Sequence, residues 1–212
     1  MNTTAATLPE AGASVNVNVN VSAAGPAPTR IVVAYGFWIF LLSDIIMFSA
    51  LFAAYAVLSG QTAGGPAPKQ LFELRHVGIE TLCLLLSSYA CGLGMLGLER
   101  GRMFAFYLAC GATFALGAAF LGLEISEFAG LIARGAGPTR SAFLSAFFSL
   151  VGLHGIHVSA GLLWLVFMVL QIGAQGPREF IRRRFHCFSL FWHALDIIWV
   201  ALLSLVYLMG AR

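Results

Sequence analysis

The feature that most constrains this chain is a series of five apolar runs, each long enough to cross a lipid bilayer. The runs extend over residues 31–58, 74–98, 103–133, 141–173 and 185–209. A spanning helix needs about 20 apolar residues, so several runs predict tilted helices or helical extensions beyond the hydrocarbon. Backbone groups inside a membrane must be hydrogen-bonded within the protein, which favours helices. The sequence therefore predicts an all-α fold, a polytopic membrane bundle of five transmembrane helices.

The composition agrees with a membrane protein and excludes other classes. Hydrophobic residues make up 59% of the 212 residues and charged residues only 10%, whereas a soluble domain has about 25% charged residues. The net charge of +3 is too small for a nucleic-acid-binding surface. The four cysteines lie in or beside apolar runs and form no Cys-x-x-Cys motif, so we interpret them as buried free thiols.

The chain divides into an N-terminal tail and one membrane domain. Residues 1–30 are rich in Ala, Thr, Asn and Val and lack a basic start followed by an apolar core, so we do not expect them to be a secretory signal. We predict that they form a disordered tail. Residues 31–212 are expected to form a single five-helix domain, because the connections are short and contain Gly or Pro. One connection, extending to Arg182, Arg183 and Arg184, is predicted to be a basic loop.

The distribution of Lys and Arg predicts the orientation of the five spans. Seven basic residues lie on the side of the N-terminus: Arg30, Arg100, Arg102, Arg178, Arg182, Arg183 and Arg184. Five lie on the other side: Lys69, Arg75, Arg134, Arg140 and Arg212. Because the more basic side usually faces the cytoplasm, we expect a cytoplasmic N-terminus and a periplasmic C-terminus.

Eight ionisable side chains fall inside the spans and are the candidate functional residues. They are Asp44, Glu80, Glu124, Glu127, His154, His157, His193 and Asp196. A charge at mid-bilayer costs at least about 2.5–3.5 kcal/mol, so each needs a partner, a proton or a cavity. Asp44 is near mid-depth, about 20 Å along its helix, and no cation shares its helix. A protonated packing residue is the favoured interpretation; a proton relay or a lipid contact is the alternative.

Six of these residues form pairs at a spacing of three. Residues 124 and 127, 154 and 157, and 193 and 196 are the three pairs, and residues three apart share a helix face. Each pair is expected to point into the bundle, where carboxyl and imidazole groups can hydrogen-bond across helices. An internal polar network is therefore the favoured hypothesis, and lipid contact is the second.

Two other functions remain as alternatives. Four-helix di-iron sites use two Glu-x-x-His motifs and two further Glu, which these pairs do not match, and the glutamates are expected near their helix end while the histidines lie deeper. Haem needs an axial His with room around it, and Gly152 and Gly155 flank His154. A self-sufficient membrane metalloenzyme is one alternative. A small transporter with Asp44 and Glu80 in a proton relay is another, although the sequence has no inverted repeat.

Four motifs, in order along the chain, resemble a known family. They are GFWIFLLSD at 36–44, LGLEISEF at 121–128, HGIHV at 154–158 and FWHALDIIW at 191–199. The chain resembles subunit III of the haem-copper oxidases, and the likeness extends from residue 35 to the C-terminus. The segments TAGGP at 62–66, FEL at 72–74, GPTRS at 137–141, FLSAFF at 143–148 and VYLMG at 206–210 resemble the five-helix subunit of the cytochrome o ubiquinol oxidase branch. Subunit III of a bacterial cytochrome c oxidase is the alternative branch.

The resemblance implies a non-catalytic role. Family members hold no haem or copper; both belong to the partner subunit I, and the subunit is thought to stabilise subunit I and support proton uptake. The resemblance also implies subunits II and IV as partners, bound phospholipid, and a location in the bacterial inner membrane. Longer members have seven helices with lipid in a V-shaped cleft, and this chain would lack the first two. Asp44 lies where many members have Glu. The electron donor, quinol or cytochrome c, is bound by other subunits.

Overall fold

The computed structural model describes residues 29–62, 74–176 and 179–208, and within these ranges the chain is helical without strands. The helices are α1 (Thr29–Leu58), α2 (Leu74–Glu99), α3 (Met103–Ala133), α4 (Ala142–Gln175) and α5 (Glu179–Leu202), the last followed directly by a π-helix at Leu203–Leu208. Five helices of the described part are long and apolar enough to cross a membrane. The predicted all-α, five-span fold is confirmed. The predicted disordered tail lies almost wholly outside the described residues, and its last two residues, Thr29 and Arg30, already belong to α1.

The helices form a bundle in which α1 is peripheral. The α2–α3 hairpin has the most extensive packing, α5 packs against α2 and α4, and α4 also contacts α3. α1 packs mainly against α4, with a smaller contact to α5. The core therefore lies between α2, α3, α4 and α5.

Glycines create the space for the buried side chain of Trp192. A Cβ at Gly161 would lie 2.8 Å from Trp192 Cζ3, and a Cβ at Gly117 would lie 3.0 Å from Trp192 Cζ2. Trp192 is buried and donates its indole N–H to Ser87 Oγ at 3.0 Å. Small residues let membrane helices approach closely, and here they place α3 and α4 directly against the indole of α5.

The fifth helix begins earlier than the sequence predicted. The placement of Arg182, Arg183 and Arg184 in a loop was wrong, because α5 begins at Glu179. Arginine is a good helix former, and its long side chain can carry the charge away from an apolar helix surface. The Arg184 guanidinium lies 4.1 Å from the Phe180 ring centroid and donates to Gln171 Oε1 at 3.4 Å. A helix start placed after the arginines misses these first two turns, because only Phe180 and Ile181 in them are apolar.

Candidate functional site

The bundle interior contains three glutamates from two helices, which we call the carboxyl cluster: Glu80 on α2, and Glu124 and Glu127 on α3. Glu80 is 0% exposed and Glu124 is 2% exposed. All three interact electrostatically. Both oxygens of Glu80 and Oε2 of Glu124 lack a hydrogen bond to any described residue. Burying unpaired charges is very costly, so neutral carboxyl groups fit this site better than three ions.

Two side chains that the sequence analysis missed approach the carboxyl cluster. His76 Nε2 lies 3.6 Å from Glu80 Oε1, and the hydroxyl of Tyr207 donates to Glu127 Oε2 at 3.3 Å. The spacing of four between residues 76 and 80 places both on one helix face, so this neighbour was detectable in the sequence. Tyr207 was not, because it lies in the π-helix, an interruption that apolar periodicity does not predict.

His154 lies in an aromatic enclosure beside the carboxyl cluster. It is 0% exposed, and neither ring nitrogen has a hydrogen bond to a described residue. Its ring stacks on Trp199 with 5.2 Å between centroids, and the Phe120 ring lies edge-on at 5.8 Å. Trp199 in turn donates its indole N–H to Thr81 Oγ1 at 3.0 Å. The enclosure therefore joins α2, α3, α4 and α5 in one layer.

Glu124 lies closer to the histidines than the sequence suggested. A Cβ at Gly155 would lie 2.5 Å from Glu124 Oε1, so the carboxyl group contacts α4 beside His154. The expectation that Glu124 and the histidines lie at different depths is therefore wrong. Because Gly155 has no side chain, the space beside it between α3 and α4 is open, and the long side chain of Glu124 extends into it.

Asp44 has a histidine partner on another helix. His157 Nε2 lies 3.9 Å from Asp44 Oδ1, and the two side chains are 18% and 14% exposed. His157 Nδ1 lies 2.8 Å from the carbonyl oxygen of Leu153, so Nδ1 donates there and Nε2 is left for Asp44. Phe48 on α1 contacts both histidine rings, with centroids 5.4 Å from His157 and 6.3 Å from His154. Phe48 thus lies between this pair and the aromatic enclosure.

The third predicted pair is not directed wholly inward. His193 is exposed on α5 and Asp196 is half-buried, so the expectation that both point into the bundle is wrong for His193. Asp196 lies near Ser88, although Asp196 Oδ1 and the Ser88 hydroxyl have no hydrogen-bond partner among the described residues. Successive helical residues are rotated by about 100°, and the neighbouring Trp192 occupies the inward position.

The polar groups are not arranged as a metal site in the described part of the chain. No three His, Cys, Asp or Glu side chains of the described residues are grouped so that they could hold a metal ion. Phe48 lies between the imidazoles of His154 and His157, and neither nitrogen of His154 has a hydrogen-bond partner among the described residues. The four cysteines are free thiols; Cys91 and Cys110 are buried, and Cys83 and Cys187 are half-buried.

A comparison with protein families decides what kind of bundle this is. The family model described as "Cytochrome c oxidase subunit III" matches residues 19–211. The chain belongs to the cytochrome c oxidase subunit III family. The resemblance found in the four sequence motifs is therefore confirmed. The match begins within the predicted tail and includes all five helices.

Curated relatives cover most of the chain and bear two kinds of name. The chain is 52% identical over 177 residues to "Cytochrome bo(3) ubiquinol oxidase subunit 3" of Pseudomonas aeruginosa, which is 84% of this chain and 85% of that protein. It is 42% identical over 175 residues to "Quinol oxidase subunit 3" of Bacillus subtilis, 82% of this chain and 86% of the relative. It is 40% identical over 175 residues to "Cytochrome c oxidase subunit 3" of Bacillus sp. strain PS3, 82% of this chain and 84% of the relative.

Proposed function

We propose that this chain is subunit III of a proton-pumping cytochrome o (bo(3)-type) ubiquinol oxidase in a bacterial aerobic respiratory chain. The observation that carries the proposal is the 52% identity to a bo(3) ubiquinol oxidase subunit 3 over 84% of the chain. The cytochrome c oxidase relative is 40% identical, which supports subunit III of a cytochrome c oxidase as the second candidate. The quinol-oxidase assignment also agrees with the branch-specific segments of the sequence.

The proposed role is structural and non-catalytic, with haem and copper held by subunit I. The interior of the bundle supports this role, because indole–hydroxyl hydrogen bonds connect α5 to α2 at two levels. Trp192 bonds Ser87, and Trp199 bonds Thr81, each at 3.0 Å. Such bonds within the membrane contribute about 0.6 kcal/mol on average. They fix the relative positions of helices, as a subunit that stabilises a neighbour requires.

The proposed docking surface for subunit I is on α1. Only 11% of its most apolar stretch is buried, against 44% in α2. Its exposed side chains include large apolar residues on several sides, among them Tyr35, Trp38, Ile46 and Val57. A partner helix or phospholipid would cover this surface in the membrane. Subunits II and IV are the further partners in this proposal.

The chain is a multi-pass membrane protein, and we propose the bacterial inner membrane with a cytoplasmic N-terminus and a periplasmic C-terminus. The excess of Lys and Arg on the N-terminal side supports that orientation. The α2–α3 turn and the arginine-rich start of α5 lie at the same end of the bundle, because neighbouring spans alternate in direction. The revised start of α5 leaves the three arginines on that side.

Purification of the complex through this chain tests the proposal. We expect a tagged chain, extracted in mild detergent, to bring haem, copper and larger subunits with it and to oxidise ubiquinol but not reduced cytochrome c. Oxidation of cytochrome c would favour the second candidate. Metal that stays with the chain after it is separated from the larger subunits would favour a metalloenzyme. Purification without partners or metal would favour the alternative that the chain is a small transporter.

A further inference from the structure

A groove on the outer face of the α2–α3 hairpin has a charged mouth and an apolar floor. It encloses about 390 Å³ and is lined by Ala90, Leu93, Leu96, Gly97, Arg100, Arg102, Ala105, Leu108, Ala109 and Ala112. We call it the α2–α3 groove. Eight of its ten lining residues are apolar, and the two that are not, Arg100 and Arg102, are adjacent to the turn between the helices. It is separate from the polar interior of the bundle.

Small residues form the floor of the α2–α3 groove. A Cβ at Gly97 would lie 3.0 Å from the backbone nitrogen of Phe106, so the two helices are nearly in contact there. Leu93 and Leu108 form the walls and are 45% and 66% exposed. The result is a slot that is narrow at its base and open to the surrounding medium.

The turn holds both arginines at the same end of the α2–α3 groove. Arg102 N–H donates to the carbonyl of Gly97 at 2.9 Å, and Gly101 N–H donates to the carbonyl of Leu98 at 3.3 Å. Gly101 has a φ of +68°. These bonds and the left-handed glycine are those of a Schellman motif, a compact ending that restricts the backbone on both sides. Neither guanidinium forms an ion pair with a carboxylate whose side chain the structure describes.

The length of the α2–α3 groove matches one leaflet of a bilayer. From Arg100 back to Ala90, and from Arg102 forward to Ala112, each helix rises by about 15 Å at 1.5 Å per residue. The hydrocarbon core is about 30 Å thick, so one leaflet contributes about 15 Å. A partner's transmembrane helix would need an apolar surface across both leaflets. An acyl chain ending in a headgroup needs one leaflet and a charged site at its outer end.

We propose that the α2–α3 groove is a binding site for an anionic phospholipid of the surrounding bilayer, with its phosphate between Arg100 and Arg102 and one acyl chain along the small-residue floor. Arginine binds phosphate through several N–H donors. Anionic lipids are attracted to basic residues at the cytoplasmic surface, the side on which the proposed orientation places this turn. The proposal specifies a location and a headgroup charge for the lipid contact proposed in general terms above, and it does not depend on which oxidase the subunit serves.

Photo-crosslinking in the purified complex tests the proposal. The probes are phosphatidylglycerol and phosphatidylcholine with the same photoreactive acyl chain, and peptide mapping locates the crosslinks. We expect phosphatidylglycerol to label residues between 90 and 112 in preference to phosphatidylcholine, and inorganic phosphate not to compete. Equal labelling by both lipids, labelling confined to other helices, competition by phosphate, or absence of labelling in the complex would each overturn the proposal.

Two variants and one matched control sharpen the test. The double substitution R100Q/R102Q should lower phosphatidylglycerol labelling by roughly fivefold for each arginine removed and leave phosphatidylcholine labelling unchanged. A105F should reduce labelling by both lipids, because Ala105 is an exposed residue of the groove lining where a phenyl ring would fill the slot. R134Q/R140Q removes two exposed arginines at the opposite end of α3 and should change neither lipid.

The wild-type comparison of the two lipids stands even if a variant fails to assemble. The haem spectrum and ubiquinol oxidation of each complex provide a separate readout of the oxidase assignment. Loss of lipid selectivity with normal oxidation would refute the lipid site alone. A complex without haem or ubiquinol oxidation would refute the proposed function and leave the lipid comparison valid.

Discussion

The first and fifth helices differ in how much of their surface the chain itself covers. Among the described residues of α1, the buried positions are Leu41, Phe48 and Tyr55, a single stripe with a spacing of seven. In α5 the buried positions recur every three or four residues: Ile181, Phe185, Phe188, Phe191, Trp192, Leu195, Ile198, Trp199 and Leu202. A spacing of seven gives a narrow seam, and a spacing of three and four gives a broad face.

The difference separates the helices that the chain itself packs on a broad face from the helix that it packs only along a narrow seam. The buried side chains of α5 make aromatic contacts and hydrogen bonds with other helices of the same chain. α1 is joined to the bundle by one seam, to which the contact of Asp44 with His157 adds. The remaining surface of α1 is largely apolar, and either lipid or a neighbouring subunit can cover it. Experiments that compare equivalent substitutions in the two helices can therefore separate folding of the subunit from its assembly.

The largest expected loss of stability is for substitution of Trp199, at the centre of the core. Trp199 is 0% exposed, stacks on His154 and donates to Thr81, so Trp199→Ala removes packing and a hydrogen bond together. We expect the free energy of unfolding to fall by about 3–5 kcal/mol, measured by denaturation with a charged detergent in mixed micelles.

The matched control is Trp38→Ala on α1. Trp38 is 55% exposed, and the expected change in the unfolding free energy of the isolated subunit is within about 0.5 kcal/mol. The same substitution should weaken retention of the subunit in the complex, as measured by its ratio to the proposed partner, subunit I, after detergent washing. Equal destabilisation of the isolated subunit by both variants would show that α1 is as well packed as α5.

The next largest effect concerns the contact between α3 and α4. Gly155→Ala places a Cβ 2.5 Å from Glu124 Oε1, so the carboxyl group or the helix must move, at a cost of about 1–3 kcal/mol. The control is Gly111→Ala, where a Cβ meets nothing within 4 Å and the gain in helix propensity can reach about 1 kcal/mol. We therefore expect Gly155→Ala to lower the thermal unfolding temperature and Gly111→Ala to raise it. A stabilising Gly155→Ala would contradict the close approach of Glu124.

A smaller effect is expected for the indole–hydroxyl bond that joins α5 to α2. Thr81→Val keeps the shape but leaves the Trp199 N–H unpaired in an apolar interior. We expect a loss of about 0.6 kcal/mol, the average measured for hydrogen bonds within membranes, and of at most about 1.7 kcal/mol. A double-mutant cycle with Trp199→Phe isolates the bond. A coupling energy of zero in that cycle would mean that the bond does not connect the helices.

The smallest effect is expected at the polar seam of α1. Asp44 Oδ1 and His157 Nε2 are 3.9 Å apart, beyond ordinary hydrogen-bond distance. Asp44→Asn should therefore change the unfolding free energy by less than about 1 kcal/mol. Asp44→Leu, which removes the polar group and keeps a similar branched shape, should also change it by less than about 1 kcal/mol. Large, equal losses for both variants, with no further loss when His157→Gln is added, would show that this pair is what attaches α1.

The sequence predicted the helices well because apolar length determines a membrane span. The third span was expected at 103–133, and α3 has the same limits. The start of α5 was missed because three arginines follow one another in its first two turns, and a search for apolar runs does not detect a charged helix end. The π-helix at Leu203–Leu208 was missed for a related reason, since its periodicity differs only locally from that of the preceding α-helix.

The candidate site was predicted by residue type but not by partner. Spacing placed residues 124 and 127 on one face, but it could not reveal that Gly155 admits Glu124 between α3 and α4. Nor could it show that His193 is exposed, because a residue beside an inward tryptophan can face either a groove or lipid. Contacts between helices depend on rotation and tilt, which one helix's sequence does not determine. The network and lipid-contact roles of these residues remain predictions.

The most direct test of the account uses the native complex. The tagged chain is purified in mild detergent, an optical spectrum and a metal assay are recorded, and the chain is then separated from its partners and assayed again. We expect haem, copper and larger subunits in the first sample and none of the haem or copper with the separated chain. Haem or metal that remains bound to the separated chain would contradict the proposed non-catalytic role.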